Sequence, residues 1–471
     1  MRQVRLLMRA GALLVAVLML ALAAWFGINA TDEELSSEAK AAMSVPPAPR
    51  PSEKNGFIDF LALGAAESAP TYEVALRRLH VLNTPQAGRT PDQPSSDFPG
   101  VRIDEHMPQC PSADSSCLDA AAGYPELQEL IDSHRVFLAR YRAMREKPEF
   151  VDLVETASPD DELPGFLYLF QGQRLSLLAA ALRFNAGDRV GAIGELEEEN
   201  AFHRRMAAGS RTLIVKMLSY AALEKDALFV AEIAREMSPK KETALWRRLE
   251  ALVRAPTKDE LNIVPALRQE SGQNMRWMQT RRHVRMSDSY YALAKTFPGE
   301  IGTRPWWDPI APYLYRPHHG VNLYAAKVSI WLTVAEHPGK EYFKATETAR
   351  ERVRMLTPGA LAGAILNPVG RNHRHLNADL VDYICRMHGH DGVLTLARLQ
   401  VKLRAAGISK PEAVVTALAS PLGRSHADPF TSEPMGFDPK TRTIGFEAQP
   451  KCVSGASRPL LSRYGRMALP L

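Results

Sequence analysis

Four histidines within one short window are the residues whose type and spacing come nearest to a metal site in this sequence. They form two His-x-His pairs, His373 with His375 and His388 with His390. Imidazoles bind zinc well, but a metal needs all of its ligands within about 2–2.1 Å of a single point. The question is therefore whether the local structure lets the two pairs converge.

The residues between the pairs predict a helix that holds the pairs apart. Apolar side chains recur there at the helical period: Leu376, Leu380, Tyr383, Ile384 and Met387. With Asn377 as the N-cap and Gly389 as the residue just past the C-terminus, the pairs lie roughly 15 Å apart. His388 would then suit the negative end of the helix dipole. We predict no metal site and no cofactor.

Glu270 is the acidic residue whose surroundings resemble a known catalytic motif. The stretch "ALRQESGQNMRWMQ" at 266–279 resembles lytic transglycosylases, in which one glutamate acts as acid and base. The glycine-rich segment which that family places between "ES" and "MQ" is missing here, and an amphipathic helix explains the same residues. Motifs of serine hydrolases, nucleotide-binding loops and zinc proteases are also missing. We therefore predict no catalytic residue.

The segment "RPWWDPIAPYLYRPHHG" at 304–320 is the place where a functional surface is expected. Aromatic faces beside polar groups can stack on sugars or anchor a partner protein. The alternative is that a proline-rich loop packs its aromatic rings across the ends of helices. The candidate residues for a partner or ligand surface are Trp306, Trp307, Asp308, Tyr313, Tyr315, His318 and His319.

Residues 10–30, "AGALLVAVLMLALAAWFGINA", predict a single transmembrane helix. The run has no charge, and at about 1.5 Å per residue it matches the ~30 Å hydrocarbon core. Arginines precede it and "TDEE" follows, so the positive-inside rule keeps residues 1–9 in the cytoplasm. We expect a bacterial inner-membrane protein with a periplasmic C-terminal domain. The alternative is a cleaved signal peptide and a secreted protein.

The four cysteines agree with an oxidising compartment. Cys110 and Cys117 are spaced for a local disulfide, and Cys385 and Cys452 are candidates for a second, although the spacing does not assign the connectivity. The formal net charge of +5, from 58 basic and 53 acidic residues, gives no reason to expect nucleic-acid binding. The expected partners are the lipid bilayer, through residues 10–30, and an envelope protein.

The rest of the chain predicts a mainly α fold, an irregular array of antiparallel helical hairpins. A Pro-rich linker is expected at 31–54 and the helical domain at 55–471, with a loop-rich stretch at 83–120. Helices are predicted at 125–146, on both sides of a turn at Asn185–Asp188, at 211–236, 241–254, 258–282 and 321–337, and three more after 377. The tail, about 434–447, predicts a β-hairpin.

Smaller patterns add local expectations. Capping boxes are predicted at Thr257 with Glu260 and at Ser409 with Glu412. The acidic run "ELEEEN" at 195–200 is expected to be a solvated helix face, with Glu199 paired to His203.

Several local features together resemble a group of proteobacterial single-anchor helical envelope proteins for which no activity is known. They are the hydrophobic anchor, "NGF" at 55–57, the C-x6-C loop, "TLIVKML" at 212–218, "NPVGR" at 367–371 and "DPFTSEPMGFD" at 428–438, where Ser432 stands in place of an expected glycine. The resemblance implies the location and the layout only. The expected function is a membrane-anchored scaffold or partner-binding protein, and the alternative is a hydrolase or lyase of an envelope polymer, peptidoglycan or glycan.

Overall fold

The computed structural model of the chain has a mainly α fold, as the sequence predicts. The structure describes residues 2–84, 107–111, 116–155, 163–239, 241–280, 315–357, 359, 365–367, 380–447, 452 and 466–471. In chain order the helices are α1 (Arg2–Ala30), α2 (Ser37–Met43), α3 (Gly56–Leu61), α4 (Thr71–Leu82), α5 (Cys117–Gly123), α6 (Leu127–Ser133), α7 (Arg135–Arg145), α8 (Leu167–Asn185), α9 (Arg189–Gly209), α10 (Leu213–Glu236), α11 (Thr243–Leu252), α12 (Lys258–Leu261), α13 (Val264–Thr280), α14 (Pro317–Ala335), α15 (Gly339–Leu356), α16 (Leu380–Ala405), α17 (Pro411–Ala419) and α18 (Pro421–Arg424).

Helix α1 is long and apolar enough to cross a membrane. Its apolar part, Met8–Ala30, has a mean hydropathy of 2.4, and none of its most apolar 18-residue stretch is buried. A signal sequence near the N-terminus satisfies the same criteria of length and hydropathy.

The centre of the domain is a stack of long helices in which α8, α9, α10 and α16 pack successively against one another. The α8–α9 hairpin is the predicted one. Gly187 adopts φ +90° at the turn, which glycine does without strain, and the Asp188 side chain accepts the Gly191 N–H at 2.9 Å as an N-cap.

Two of the predicted helices are each divided by a short break. The predicted helix 125–146 ends at Ser133 and restarts at Arg135, because the Ser133 hydroxyl and the His134 ring both bond the carbonyl of Leu130, at 2.7 and 3.0 Å. The predicted apolar face is nevertheless buried on both sides of the break. The predicted helix 258–282 is divided at Asn262, and the capping box of Thr257 and Glu260 at its start is confirmed.

The prediction that a helix ends at Gly389 is wrong, because α16 continues without interruption from Leu380 to Ala405. Gly389 is buried inside the helix, and α16 packs along α10 over its length. Tertiary packing of the long apolar face overrides the local signal of one glycine. The second capping box is also wrong: α17 begins after Lys410 with Pro411 in its first turn and no side-chain cap.

The predicted C-terminal hairpin is present, and a third strand joins it. Strand β1 (Gly436–Asp438) pairs antiparallel with β2 (Thr443–Glu447), which pairs antiparallel with β3 (Arg466–Pro470). The sequence reasoning missed β3. The sheet packs on α16, where Phe446 lies against Gly392.

Both cysteine pairs lie at disulfide-bonding distance. Cys110 and Cys117 have their Cα atoms 4.9 Å apart, and Cys385 on α16 and Cys452 have theirs 4.5 Å apart. The second pair ties the chain between β2 and β3 to the central helix stack.

Candidate functional site

The acidic run on α9 is part of a buried ion network. The prediction of a solvated face is wrong for Glu195 and Glu199, whose side chains are 9% and 0% exposed, while Glu198 at 66% fits it. Arg145 of α7, 2% exposed, donates through Nη2 to Glu195 at 2.8 Å and to Glu198 at 3.2 Å, and through Nη1 to Glu199. The run is buried because a cation from a distant helix lies against it.

The network continues through His203 to α10. The His203 Nδ1 atom lies 2.8 Å from Asp226 Oδ2, and its Nε2 atom lies 3.5 Å from Glu199 Oε1, so the predicted Glu199–His203 pair is confirmed. Asp226 also accepts from the Gln173 amide of α8 at 2.9 Å. Side chains of α7, α8, α9 and α10 therefore meet in one hydrogen-bonded cluster.

The charges of this network compensate one another. Burial alone would lower the pKa of the Arg145 guanidinium, but Glu199, Tyr141 and Glu195 around it raise that pKa above its usual value. Burial also acts to lower the pKa of His203, but Asp226 and Glu199 raise that pKa by more. The net shift of the His203 pKa is therefore upward. Two cations thus stand between three buried carboxylates, with the half-exposed Arg142 beside Glu195 at 3.2 Å.

An imidazole between two carboxylates resembles the arrangement used in general acid–base catalysis. In this protein, however, His203, Asp226 and Glu199 are 2%, 0% and 0% exposed. Their hydrogen bonds run to other buried side chains of the same cluster. The arrangement therefore joins four helices and is closed to solvent.

The histidine stretch is divided between packing roles. His388 lies inside α16 and packs against the rings of Tyr342 and Phe430, with ring centroids 5.5 and 6.3 Å away. Burial lowers the pKa of His388 to about 4, so the prediction of a cation at a helix end is wrong. His390 stacks on Tyr220 at 4.4 Å. His373 and His375 lie outside the described residues.

Metal ligation finds no support in the described part of the chain, where no group of three or more His, Cys, Asp or Glu residues is arranged to hold a metal ion. The cysteines pair with one another, Glu195 pairs with Arg145, and Asp226 pairs with His203.

The segment that follows α1 is bound to the domain. We call residues 29–36 the anchor junction. The carboxylate of Asp32 accepts the backbone N–H groups of His318 and His319, at 2.8 and 3.2 Å, in the first turn of α14. First-turn N–H groups have no partner inside their own helix, so an acid from elsewhere in the chain caps α14.

Glu33 and Ser36 extend this contact by one turn of α14. The Asn322 amide donates to Glu33 Oε1 at 2.7 Å, and the Asn322 oxygen accepts the Ser36 N–H at 2.8 Å. The His319 ring lies 3.2 Å from Glu33 Oε2. Burial would raise the pKa of Glu33, but the hydrogen bonds from Asn322 and His319 lower it below its usual value.

The stretch predicted as a Pro-rich linker therefore makes extensive contacts with the domain. Asn29, at the end of α1, donates to the carbonyl of Ile365 at 2.8 Å. Helix α2, inside the predicted linker, packs on α13 and α14, and Gly272 of α13 lies against the Ala42 carbonyl. A spacer that lifts the domain away from the membrane was expected; the structure instead shows folded chain directly after α1.

The aromatic segment is described only from Tyr315 onward. Tyr315 is 4% exposed and donates its hydroxyl to the carbonyl of Met278 at 2.8 Å, which is a packing role. His318 and His319 are partly exposed and belong to the contact with the anchor junction. The candidates Trp306, Trp307, Asp308 and Tyr313 lie outside the described residues.

Glu270 lies away from these histidines. Two contacts show that helices α13 and α14 run antiparallel: Met278 lies beside Gly320, and Asn274 bonds Tyr324 at 3.4 Å. Glu270 is two further turns from Met278, roughly 12 Å along the axis. Burial raises the pKa of Glu270. A partly buried acid without the two imidazoles beside it is a weaker candidate for catalysis.

The buried network that sequence reasoning missed left a visible signal in the sequence. Glu195, Glu199 and His203 recur every four residues on α9, and Tyr141 and Arg145 have the same spacing on α7. Such spacing places each set on one helix face. The pairing of the two faces depends on tertiary packing, which spacing does not show.

Comparisons of the chain with protein-family models, with curated proteins and with solved structures found no match.

Proposed function

We propose that this chain is a single-pass protein of the bacterial inner membrane whose periplasmic helical domain acts as a scaffold that binds an envelope protein partner. The observation that supports the proposal most is the anchor junction. Asp32 and Glu33 follow the hydrophobic helix within three residues and bond the first turns of α14. A domain attached in this way is held at a constant height and orientation relative to α1, which suits a scaffold.

The charge distribution and the cysteines support the proposed location. Arg2, Arg5 and Arg9 precede the apolar helix and acidic residues follow it, which favours export of the C-terminal part. Cysteine pairs at disulfide distance persist in oxidising compartments such as the periplasm.

The enzyme alternative has less support. It requires Glu270, Asp308, His318 and His319 to line one cleft, and Asp308 lies outside the described residues. Those histidines bond the anchor junction instead, and the antiparallel pairing of α13 and α14 moves Glu270 along the helix away from them.

Site-specific photo-crosslinking of the full-length chain in its native membrane tests the proposal. A photoreactive amino acid is placed in turn at exposed positions such as Phe343, Val415 and Val190. The scaffold proposal predicts one discrete adduct that forms from adjoining positions on one face only. Adducts from no position, or equally from every position, would contradict it.

A second measurement tests the location. The domain is expected to resist added protease in intact cells and to be digested once the outer membrane is opened. Without added protease, the chain is expected to have its full-length mass. Protection that persists after the outer membrane is opened would contradict the periplasmic orientation, and loss of residues 1–30 would show that α1 is a cleaved signal.

A further inference from the structure

An arginine-lined cleft opens on the surface between α9 and α11. Its volume is about 520 Å³, and its charged lining includes Arg204, Arg205 and Arg254; we call it the arginine cleft. Clefts of this size hold small molecules. None of the roles described above uses it.

Two of the three arginines share one carboxylate. Arg204 donates to Glu260 Oε2 at 3.0 Å, and Arg254 donates to Glu260 Oε1 at 2.6 Å. The other acid of the cleft, Glu197, is already bound by Arg248 at 2.7 and 2.8 Å. Glu260 therefore offsets one of the two positive charges of Arg204 and Arg254. Glu197 is paired with Arg248 and offsets the charge of none of the three cleft arginines.

Arg205 has no carboxylate within the described part of the chain to offset its charge. It donates through Nη2 to the carbonyl of Arg145, and its Nε atom is buried without a hydrogen-bond partner. Burial lowers its pKa, and no acid raises it. A half-buried guanidinium whose charge no carboxylate offsets is costly, and an anion bound in the cleft would offset that charge.

The remainder of the lining is small and apolar. Ala201 and Ala208 of α9 and Ala251 of α11 are exposed side by side with the arginines. A ligand that fits this surface has an oxyanion for the guanidinium groups and an apolar part for the alanines. The planar guanidinium fork matches both carboxylate and phosphate oxygens.

We propose that the arginine cleft binds a small organic anion, a carboxylate or a phosphate carried on an apolar stem, with Arg205 as its principal contact. This binding goes beyond the scaffold function and does not depend on it. With Glu260 offsetting one charge of three, the cleft carries two uncompensated positive charges, so a singly or doubly charged group is accommodated.

Calorimetric titration of the full-length protein in neutral detergent tests the proposal. The probes are phenyl phosphate, benzoate, inorganic phosphate and the uncharged benzyl alcohol. We expect one or both aromatic anions to bind, inorganic phosphate to bind more weakly, and benzyl alcohol not to bind. Inorganic phosphate binding as tightly as phenyl phosphate would overturn the organic-ligand assignment, and binding of benzyl alcohol as tight as that of the anions would overturn the role of charge.

Substitutions separate the cleft from the rest of the surface. Arg205→Gln is expected to weaken binding at least about tenfold, as loss of a charged contact does. Arg247→Gln, an exposed arginine on α11 outside the cleft, is the matched control and is expected to change nothing.

A second pair of variants keeps the test independent of any folding defect in Arg205→Gln. Ala201 is exposed one turn before Arg205, so Ala201→Glu places a carboxylate beside it, whereas Ala201→Gln adds the same bulk without charge. We expect Ala201→Glu to abolish binding of the anions and Ala201→Gln to retain more of it. Absence of anion binding by the unmodified protein, or equal binding by both Ala201 variants, would overturn the proposal.

Discussion

Arg145 is the residue on which the centre of the helix stack depends most. It is 2% exposed and is the cation that faces Glu195 and Glu199 across α7 and α9. Removing one partner of a buried pair leaves the others charged and unsolvated. We therefore expect Arg145→Met to lower the free energy of unfolding by about 3–5 kcal/mol, measured by urea denaturation of the detergent-solubilised protein.

The control for that prediction is an exposed ion pair on the same α9. Arg189 lies 2.8 Å from Glu242, with side-chain exposures of 36% and 32%. Arg189→Gln is expected to cost less than about 1 kcal/mol, because solvent screens the pair. Equal effects of the two substitutions would show that the buried network contributes no more than a surface contact.

Glu232 on α10 predicts a pH dependence of stability. Its carboxyl accepts the Ser116 hydroxyl at 3.0 Å and the Cys117 N–H at 2.8 Å, yet burial outweighs these bonds and raises its pKa to about 7. Between about pH 4.5 and 7 the folded state holds a proton that the unfolded chain releases. The contribution of this group to stability therefore falls as the pH rises through that window.

The test compares Glu232→Gln with the unmodified protein in urea at pH 5 and pH 8. Glutamine keeps an acceptor but does not titrate. As the pH rises, the free energy of unfolding of the variant should therefore increase relative to that of the unmodified protein, by up to about 3 kcal/mol. Glu236→Gln, at an exposed position of the same helix, should show no such gain. A pH-independent difference for Glu232→Gln would contradict the assignment.

At the scale of elements, the contact of α16 with the C-terminal sheet depends on Gly392. A Cβ atom at this position would lie 2.6 Å from the ring of Phe446, which is 3% exposed. Alanine improves a helix by about 0.5–1 kcal/mol, but overpacking costs about 1–3 kcal/mol. We expect Gly392→Ala to be destabilising in net terms by about 1–2 kcal/mol in urea denaturation.

Two further variants show whether Phe446 is the cause. Phe446→Leu removes the clashing ring atoms, so the Gly392→Ala penalty should shrink in the double variant. Gly123→Ala on α5, where a Cβ atom meets nothing within 4 Å, should be neutral or slightly stabilising. An undiminished penalty in the double variant would contradict this account of the contact.

The two cysteine pairs are expected to contribute unequally to the stability of the fold. Cys385 and Cys452 are 67 residues apart, and Cys110 and Cys117 are 7 apart. A disulfide stabilises the folded state by restricting the unfolded chain. Closing the longer loop adds about 4 kcal/mol to the free energy of unfolding, and closing the shorter loop adds about 2.5 kcal/mol. Replacing each pair with alanines should therefore lower the thermal midpoint more for Cys385 and Cys452. No effect of reductant on the unmodified protein would contradict a structural role for either pair.

The elements show which parts of the fold were predictable from the sequence. The α8–α9 hairpin follows from Gly187 and Asp188, whose local chemistry specifies a turn. The end assigned at Gly389 fails because packing along α10 outweighs a single glycine. Strand β3 was not predictable from its own residues, because it is placed by pairing with β2.

At the scale of the whole molecule, the environment of charged residues is likewise unpredictable where their partners are distant in the sequence. The acids of α9 have the composition of a solvated face, and only Arg145, 54 residues from Glu199, explains their burial. Residues 31–54 have the composition of a spacer, and partners far away in the sequence, among them His318, His319 and Asn322, explain their attachment. Composition predicts the environment of a segment when its partners are local and fails when they are distant.

The fixed attachment of α1 to the domain is the central claim about the molecule, and it depends on Asp32 and Glu33. The N–H groups of His318 and His319 lie in the first turn of α14 and have no partner in their own helix. Without the anchor junction these amides would exchange with solvent quickly. In Asp32→Asn/Glu33→Gln we expect faster exchange at these amides and at Ser36, with the rest of α14 unchanged.

Hydrogen exchange of the full-length protein in lipid nanodiscs, read at the amides of Ser36, His318 and His319, tests this claim most directly. We expect these amides to exchange at least about 100-fold more slowly in the unmodified protein than in an unstructured chain, and the Asp32→Asn/Glu33→Gln variant to lose this protection. Exchange of these amides at the unstructured rate would contradict it, and would show that residues 31–36 form a flexible tether.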